Sequence, residues 1–293
     1  MKPPPFDYAA PDTLTEALEL LRRWSDEAKV LAGGQSLLPL LAFRLARPAI
    51  LVDINRIGSL ETIDAADGCI RIGALVRHRT AELAAPRGLP ALIRQAAAQI
   101  GHVAIRNRGT VGGSLAHADP SAEWAAIALA YDGVITACSA SAERSIRADD
   151  FFIGFLASAL EPDELITGLA LQMPPGRTGS AFAEFARRHG DFAIAGVAAV
   201  LGLGPDNIVT HARLAVIGAA ITPTRCHTAE ATLVGQAFGP VLADAAAHEL
   251  AADLVLAGTD DDERSHRLHV ARTLTRRVLA AAALDSGSEA IVR

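Results

Sequence analysis

The chain has 293 residues, 51% of them hydrophobic, and a formal net charge of −6 spread without any basic stripe or arginine run. That composition can build sizeable cores, which excludes a disordered chain, and it gives a nucleic-acid partner no electrostatic footing. Three cysteines, Cys69, Cys138 and Cys226, stand far apart with no Cys-x-x-Cys pair, so no zinc or iron–sulfur site is expected within this chain.

The length suggests two or three compact units. The opening residues, Met1-Lys2-Pro3-Pro4-Pro5, carry one lysine and then prolines, without an apolar core of signal-peptide length; a cytoplasmic protein is expected. The longest apolar run, residues 193–203, is too short to cross a bilayer, so no transmembrane segment is expected. Asp12 and Thr13 open a helix, with Glu16 completing a capping box and Leu14, Ala17, Leu18, Leu21 and Trp24 on one face. A strand over residues 29–32 runs into Gly33-Gly34-Gln35-Ser36, a second helix spans 37 to about 47, and 50–54 reads as a buried strand. Strand, glycine turn, helix and strand in that order predict a small parallel α/β unit.

A second unit follows, with strands over 69–72 and 74–76, a helix over 89–100 and another glycine-bearing turn across 106–113. Asp119-Pro120 supplies an N-cap and first-turn proline for a helix over 121–131, and strands are expected over 134–139 and 164–173. Pro174-Pro175-Gly176 is the best linker in the chain. Beyond it, strands over 181–187, 194–203 and 212–220 precede a helical region that begins at Pro223, its longest helix over 268–283. Gly202-Leu203-Gly204 is read as a hairpin turn. The expected fold class is α+β: two α/β subdomains (1–57 and 58–176) and a carboxy-terminal α+β domain (177–293) of three antiparallel strands and a helix bundle.

Gly33-Gly34-Gln35-Ser36 and Thr110-Val111-Gly112-Gly113-Ser114 are the most informative stretches. Each joins an extended segment to a glycine pair and a serine. Glycine permits positive φ and close approach of a ligand, and successive peptide N–H groups can converge on an anion. A Gly-Gly turn is also a common loop. Two such turns, one per α/β unit, suggest a dinucleotide between the units.

Ala32-Gly33-Gly34-Gln35-Ser36-Leu37, with Arg44-Leu45 and Leu51-Val52-Asp53-Ile54, resembles the first flavin loop of molybdenum hydroxylase medium subunits. The fifteen residues from Arg106 to Pro120 (RNRGTVGGSLAHADP) resemble their second loop, and Arg187-Arg188-His189-Gly190-Asp191-Phe192-Ala193 resembles the segment opening their carboxy-terminal domain. The chain is identified, over essentially its whole length, as similar to the FAD-binding subunits of carbon monoxide dehydrogenase and xanthine dehydrogenase-like enzymes.

The resemblance implies a PCMH-type, vanillyl-alcohol-oxidase-like fold. Ala32, Gly33, Gly34, Gln35 and Ser36 would cradle the FAD pyrophosphate together with Thr110, Val111, Gly112, Gly113 and Ser114. Glu123 matches a carboxylate on the nucleotide side of FAD; as a bare residue it is equally an exposed acid favoured by a helix dipole. Asp191 and Phe192 match the region near the flavin ring, although Phe192 can also be read as a core residue. Molybdopterin and [2Fe-2S] clusters would reside on partners, a large molybdopterin-binding subunit and a small iron–sulfur subunit, in a heterotrimer or its dimer. The chain would bind and orient the flavin, with no acid–base catalytic residue of its own.

Other polar residues leave their readings open. Arg106 and Arg108 complement a phosphate, complement an acidic partner, or are solvated. His117 orients its loop, and His266 and His269, three apart on a helix, read as solvated in the absence of a third ligand. The rival functions are a stand-alone flavoenzyme of the same superfold, for which no substrate-facing base is visible, and an accessory protein that has lost FAD, against which both glycine loops are intact.

Overall fold

The computed structural model describes residues 2–84 and 89–287. Met1 and residues 288–293, the outer ends of the first and third expected units, lie outside the described residues, as do residues 85–88 of the second. β1 (Asp7–Ala9), α1 (Leu14–Trp24), β2 (Ala28–Leu31), α2 (Leu37–Ala42) and β3 (Ile50–Asp53) form a parallel three-stranded sheet in the order β1-β3-β2. The expected capping box closes α1: Glu16 N–H donates to Thr13 Oγ at 3.2 Å, and the Glu16 carboxylate accepts from Asp12 N–H at 3.1 Å. The second helix is shorter than expected. It stops at Ala42 because Arg44 turns into the left-handed region at φ 58°. β3 is central, and Ile50, Leu51 and Val52 are buried.

The next elements are β4 (Ile63–Ala66), β5 (Cys69–Gly73), α3 (His78–Glu82), α4 (Ala91–Gln99), α5 (Val103–Arg106), α6 (Val111–His117) and α7 (Glu123–Ala130). After them come β6 (Val134–Cys138), β7 (Glu143–Arg147), α8 (Ala148–Phe151), β8 (Phe152–Gly154), β9 (Ala157–Ser158) and β10 (Leu165–Gln172). Five of these strands make an antiparallel sheet ordered β4-β5-β10-β6-β7. Asp67 (φ 53°) and Gly68 (φ 72°) join β4 to β5, the two-residue hairpin loop whose handedness matches strand twist.

Three expectations in this unit are corrected. Residues 74–76 form no strand, because their carbonyls are spent elsewhere: Ala74 O accepts from Gly112 N–H at 2.8 Å and Val76 O from Val111 N–H at 3.0 Å. Asp119 caps a turn and not a helix, accepting from Ser121 N–H at 2.8 Å, and α7 starts four residues later at Glu123. The second glycine stretch is the first turn of α6, not a free loop.

β11 (Thr178–Phe185), β12 (Ala195–Leu203), β13 (Val209–Ile217) and the short β14 (Thr224–Arg225) form the last antiparallel sheet, followed by α9 (His227–Leu233), α10 (Pro240–Asp253) and α11 (Asp261–Asp285). The Pro174-Pro175-Gly176 stretch lies between β10 and β11, and Gly202-Leu203-Gly204 opens the β12–β13 turn. α11 begins seven residues before the expected 268, where Asp260 accepts from Glu263 N–H at 2.8 Å. All nine residues of β12 are buried, which explains its unbroken apolar run. Ala198 and Val200 face the core that holds Trp124 and Ile127 of α7, while Val197, Ala199 and Leu201 face Leu274 and Val278 of α11.

This layering fixes α7, and with it Glu123, against the carboxy-terminal sheet. A buried charge cluster locks the joint. Arg225, 7% exposed at its side chain, donates to Asp132 at the end of α7 and, at 2.9 Å, to Glu230 of α9. Arg213 adds a second cation on Asp132 at 2.9 Å. A buried pair is worth little against an apolar substitute, but removing one member strands the other's charge. Arg225→Ala is therefore expected to cost about 3–5 kcal/mol of unfolding free energy, measured by urea denaturation; a loss below about 1 kcal/mol, the scale of an exposed pair, contradicts the cluster's role.

Candidate functional site

The two glycine stretches meet. A Cβ built on Gly33 would lie 2.4 Å from Arg108 O and 2.7 Å from Gly109 Cα, so only a glycine allows this contact. Two side chains bolt it. Asn55 Nδ2 donates to Ala32 O at 2.8 Å, and its Oδ1 accepts from Arg77 Nη2 at 2.7 Å. Arg77 Nη1 in turn donates to Arg108 O at 2.5 Å. Asp53 orients Asn55, accepting from its N–H at 3.0 Å and its Nδ2 at 2.6 Å, and also accepts from Tyr8 Oη at 2.7 Å. Burial pushes the Asp53 carboxyl up, but the hydrogen bonds from Tyr8 and Asn55 outweigh it and leave the pKa lowered.

The first loop offers free donors. Gly34 sits at φ 74° and Gln35 Nε2 donates to Gly33 O at 2.9 Å, which fixes the turn into α2. Among the described residues, no acceptor meets the backbone N–H groups of Gly33, Gly34, Gln35 and Ser36. Four consecutive unpaired donors beside a close glycine contact are the kind of arrangement that can hold an anion.

The second loop works differently from the first. The N–H groups of Val111, Gly112, Gly113 and Ser114 are satisfied internally, by Val76 O, Ala74 O, Thr110 Oγ and Thr110 O. Thr110 and Val111 are buried, as is Gly112, which packs on Ala74. Gly113 is exposed, and a Cβ there would lie 3.9 Å from Ala32 Cβ. What this loop presents is the bare Gly113 backbone and the half-buried Ser114, next to the first loop.

His78 supports the second loop from beneath. Its N–H donates to Gly109 O at 3.0 Å, and its ring lies where a Gly109 side chain would be, 2.6 Å from the built Cβ. Trp124 Nε1 donates to His78 Nδ1 at 3.0 Å, so the neutral tautomer carries its proton on Nε2. Arg106 is corrected to a structural role: 5% exposed, it donates to Glu82 at 2.8 Å and to Ile100 O and Gly101 O at 3.1 and 2.9 Å. Arg108 is exposed, as are His266 and His269.

Glu123 is half-buried rather than exposed, and its pKa is pushed up to about 8, first by burial and then by Glu184 and Asp119. Burial lifts Glu184 to about 7, and among the described residues its Oε2 has no hydrogen-bond partner. Asp191 and Phe192 are exposed, Phe192 by 74%, which rules out the core reading. They are bracketed by the second unit, since Ser121 Oγ donates to Ala193 O at 3.2 Å and His102 packs on Gly190. Asn55, Arg77, His78, Trp124 and Glu184 went unnoticed in the sequence. Only Asn55 carried a signal, an Asp-x-Asn turn at the end of a strand.

Residues 4–174 match the family described as the FAD binding domain in molybdopterin dehydrogenase, and residues 180–282 match the CO dehydrogenase flavoprotein C-terminal domain. The chain belongs to the FAD-binding medium subunits of the molybdenum hydroxylases. It is an oxidoreductase subunit. It is 43% identical to subunit alpha of the 6-hydroxypseudooxynicotine dehydrogenase complex of Paenarthrobacter nicotinovorans, over 96% of each chain. With the carbon monoxide dehydrogenase medium chain of Hydrogenophaga pseudoflava it shares 33% identity, over 96% of this chain and 98% of the other. The solved carbon monoxide dehydrogenase of that organism superposes with a TM-score of 0.91 at 33% identity, covering 97% of this chain and 99% of the other. Quinoline 2-oxidoreductase of Pseudomonas putida 86 gives 0.90 at 33% identity, covering 98% and 100%. The expected PCMH-type α+β fold is that of these flavin subunits. The residues present fit FAD: a row of unpaired N–H donors for a diphosphate beside an exposed glycine backbone.

The buried histidine makes a pH prediction. His78 is held near pKa 4 by burial, with Arg77 and Arg106 adding to it, against an ordinary 6.5. Below pH 6.5 the unfolded chain binds the proton that the fold excludes, so this group's contribution falls as pH drops from 6.5 towards 4. Glu123 and Glu184, with raised pKa values, act oppositely, losing stability as pH rises from about 4.5 through about 8 and 7. Replacing His78 isolates its share: wild type is expected to lose about 2 kcal/mol more than His78→Gln between pH 7 and pH 5 in urea melts. Parallel profiles would contradict a neutral, buried His78.

Proposed function

We propose that FAD lies where the two glycine stretches meet, with its diphosphate on the N–H groups of Gly33, Gly34, Gln35 and Ser36. Ala32 supports that turn through its carbonyl. Thr110, Val111, Gly112, Gly113 and Ser114 form the opposing wall, Thr110 to Gly112 by holding its shape and Gly113 and Ser114 by direct approach. Glu123 binds the nucleotide side, and Asp191 and Phe192 approach the flavin ring. The single observation that carries this reading is the row of unpaired N–H donors at 33–36.

When bound, FAD supplies the capacity to take electrons singly from iron–sulfur clusters and release them in pairs to an external acceptor. The chain's own residues bind and orient it. The partners are a large molybdopterin-binding subunit and a small iron–sulfur subunit, in a heterotrimer or a dimer of heterotrimers, within the cytoplasm. Support comes from the names of the similar proteins, a complex subunit and a medium chain, and from three cysteines without cluster spacing. Units 1–57, 58–176 and 177–293 are proposed as domains; the second boundary is supported by family matches that end at 174 and resume at 180.

One purification tests this. Tagged wild-type chain from its native host should carry flavin bands over broad iron–sulfur absorption, with two copurifying chains. Gly33→Ala forces a methyl against the Arg108 carbonyl and should lose most of the flavin while keeping both partners. Flavin bands without copurifying chains would point instead to a stand-alone flavoenzyme, and full occupancy in Gly33→Ala would remove the first loop from the site.

A further inference from the structure

The segment that carries Asp191 and Phe192 is held at both ends. At its near end, Asp191 N–H donates to Arg188 O at 3.1 Å, closing a turn in which Gly190 stands at φ 87°. The His102 ring fills the space beside Gly190: a Cβ there would lie 2.6 Å from His102 Cε1 and 2.8 Å from Nδ1. His102 also meets the His189 ring edge-on, with centroids 6.0 Å apart and planes at 62°. At its far end, Ala193 O accepts from Ser121 Oγ at 3.2 Å, and Arg267 Nη1 donates to Ile194 O at 3.1 Å. Phe192, between the two clamps, remains 74% exposed.

The two clamps belong to the two arms of the cofactor cleft. His102 immediately precedes α5, which leads into the Arg108–Gly109 backbone that docks on Gly33. Ser121 stands two residues before Glu123. A glycine at positive φ with an imidazole pressed on its Cα is a steric seat, and it works by shape: among the described residues no hydrogen bond to the His102 ring is formed. The seat fixes where the turn stands, and the turn fixes where Phe192 stands.

We infer that His102 is a positioning residue of the flavin site, seating the turn at residues 188–193 so that Phe192 covers the cofactor in the cleft. The inference rests on the FAD site proposed above and adds to it a residue acting through Gly190 and Phe192 without touching the cofactor. His102→Ala would empty the seat and let the turn shift. The remaining contacts of the fold would stand, because His102 is an exposed side chain at the end of a four-residue helix.

The test uses the full chain loaded with FAD, comparing wild type, His102→Ala, His102→Phe, Phe192→Ala and the His102→Ala/Phe192→Ala double variant. Flavin fluorescence quenching by iodide reports solvent access to the ring, visible circular dichroism reports its seating, and thermal unfolding of the FAD-free chains reports the fold. His102→Ala is expected to raise iodide access and FAD dissociation several-fold with the unfolding midpoint unchanged, and Phe192→Ala to give the same signature. The double variant should match Phe192→Ala alone, since both changes remove one effect, and His102→Phe, which keeps a flat ring on Gly190, should restore wild-type values. Wild-type flavin behaviour in His102→Ala, or additive effects in the double variant, would overturn the inference while leaving the FAD site standing. Failure of the wild-type chain to take up FAD would overturn both.

Discussion

The contact between Gly33 and the Arg108–Gly109 backbone organises the site. Two main chains approach so closely that a single methyl on Gly33 would collide with the Arg108 carbonyl and the Gly109 Cα. Such an approach is entropically costly in glycine and needs a counterweight, which the Asn55–Arg77 bridge provides by tying both carbonyls, Ala32 O and Arg108 O, to one pair of side chains. Everything that gives the cleft its chemistry follows from that docking. The first loop is held open with its N–H groups unspent, and the second is held shut with its own N–H groups consumed by Ala74, Val76 and Thr110. One wall donates and the other shapes.

The rest of the fold transmits that constraint. The carbonyls of Ala74 and Val76, at the exit of β5, hold α6; His78 and Trp124 join Gly109 to α7; and α7 is buried between the second unit's core and the carboxy-terminal sheet. Electrostatics follow from the same enclosure. His78 stays neutral because the site excludes water and faces Arg77 and Arg106, and Glu123 holds its proton to about pH 8 because burial and neighbouring acids act together.

Local signals were legible in the sequence wherever local physics decides. The Thr13–Glu16 capping box, the glycine turn at 33–36, the apolar run of β12 and the long last helix all depend on neighbours a few residues away. Asp67-Gly68 is a hairpin signal of the same kind, but the strand before it, Ile63-Asp64-Ala65-Ala66, has little strand character of its own and is recruited by pairing with β5. What stayed hidden depends on distant partners. Arg106 looked available for a phosphate because Glu82, its partly buried partner, lies 24 residues away. Residues 74–76 looked like a strand, although their carbonyls cap a helix that begins at Val111. Asn55 and Arg77 became site residues only when the fold placed them between two loops.

The most direct test is a crystal structure of this chain with FAD bound. The account predicts diphosphate oxygens roughly 3 Å from the N–H groups of Gly33, Gly34, Gln35 and Ser36, with the loops still docked at Gly33 and Gly109. A diphosphate bound elsewhere, with those N–H groups facing only solvent, would contradict it.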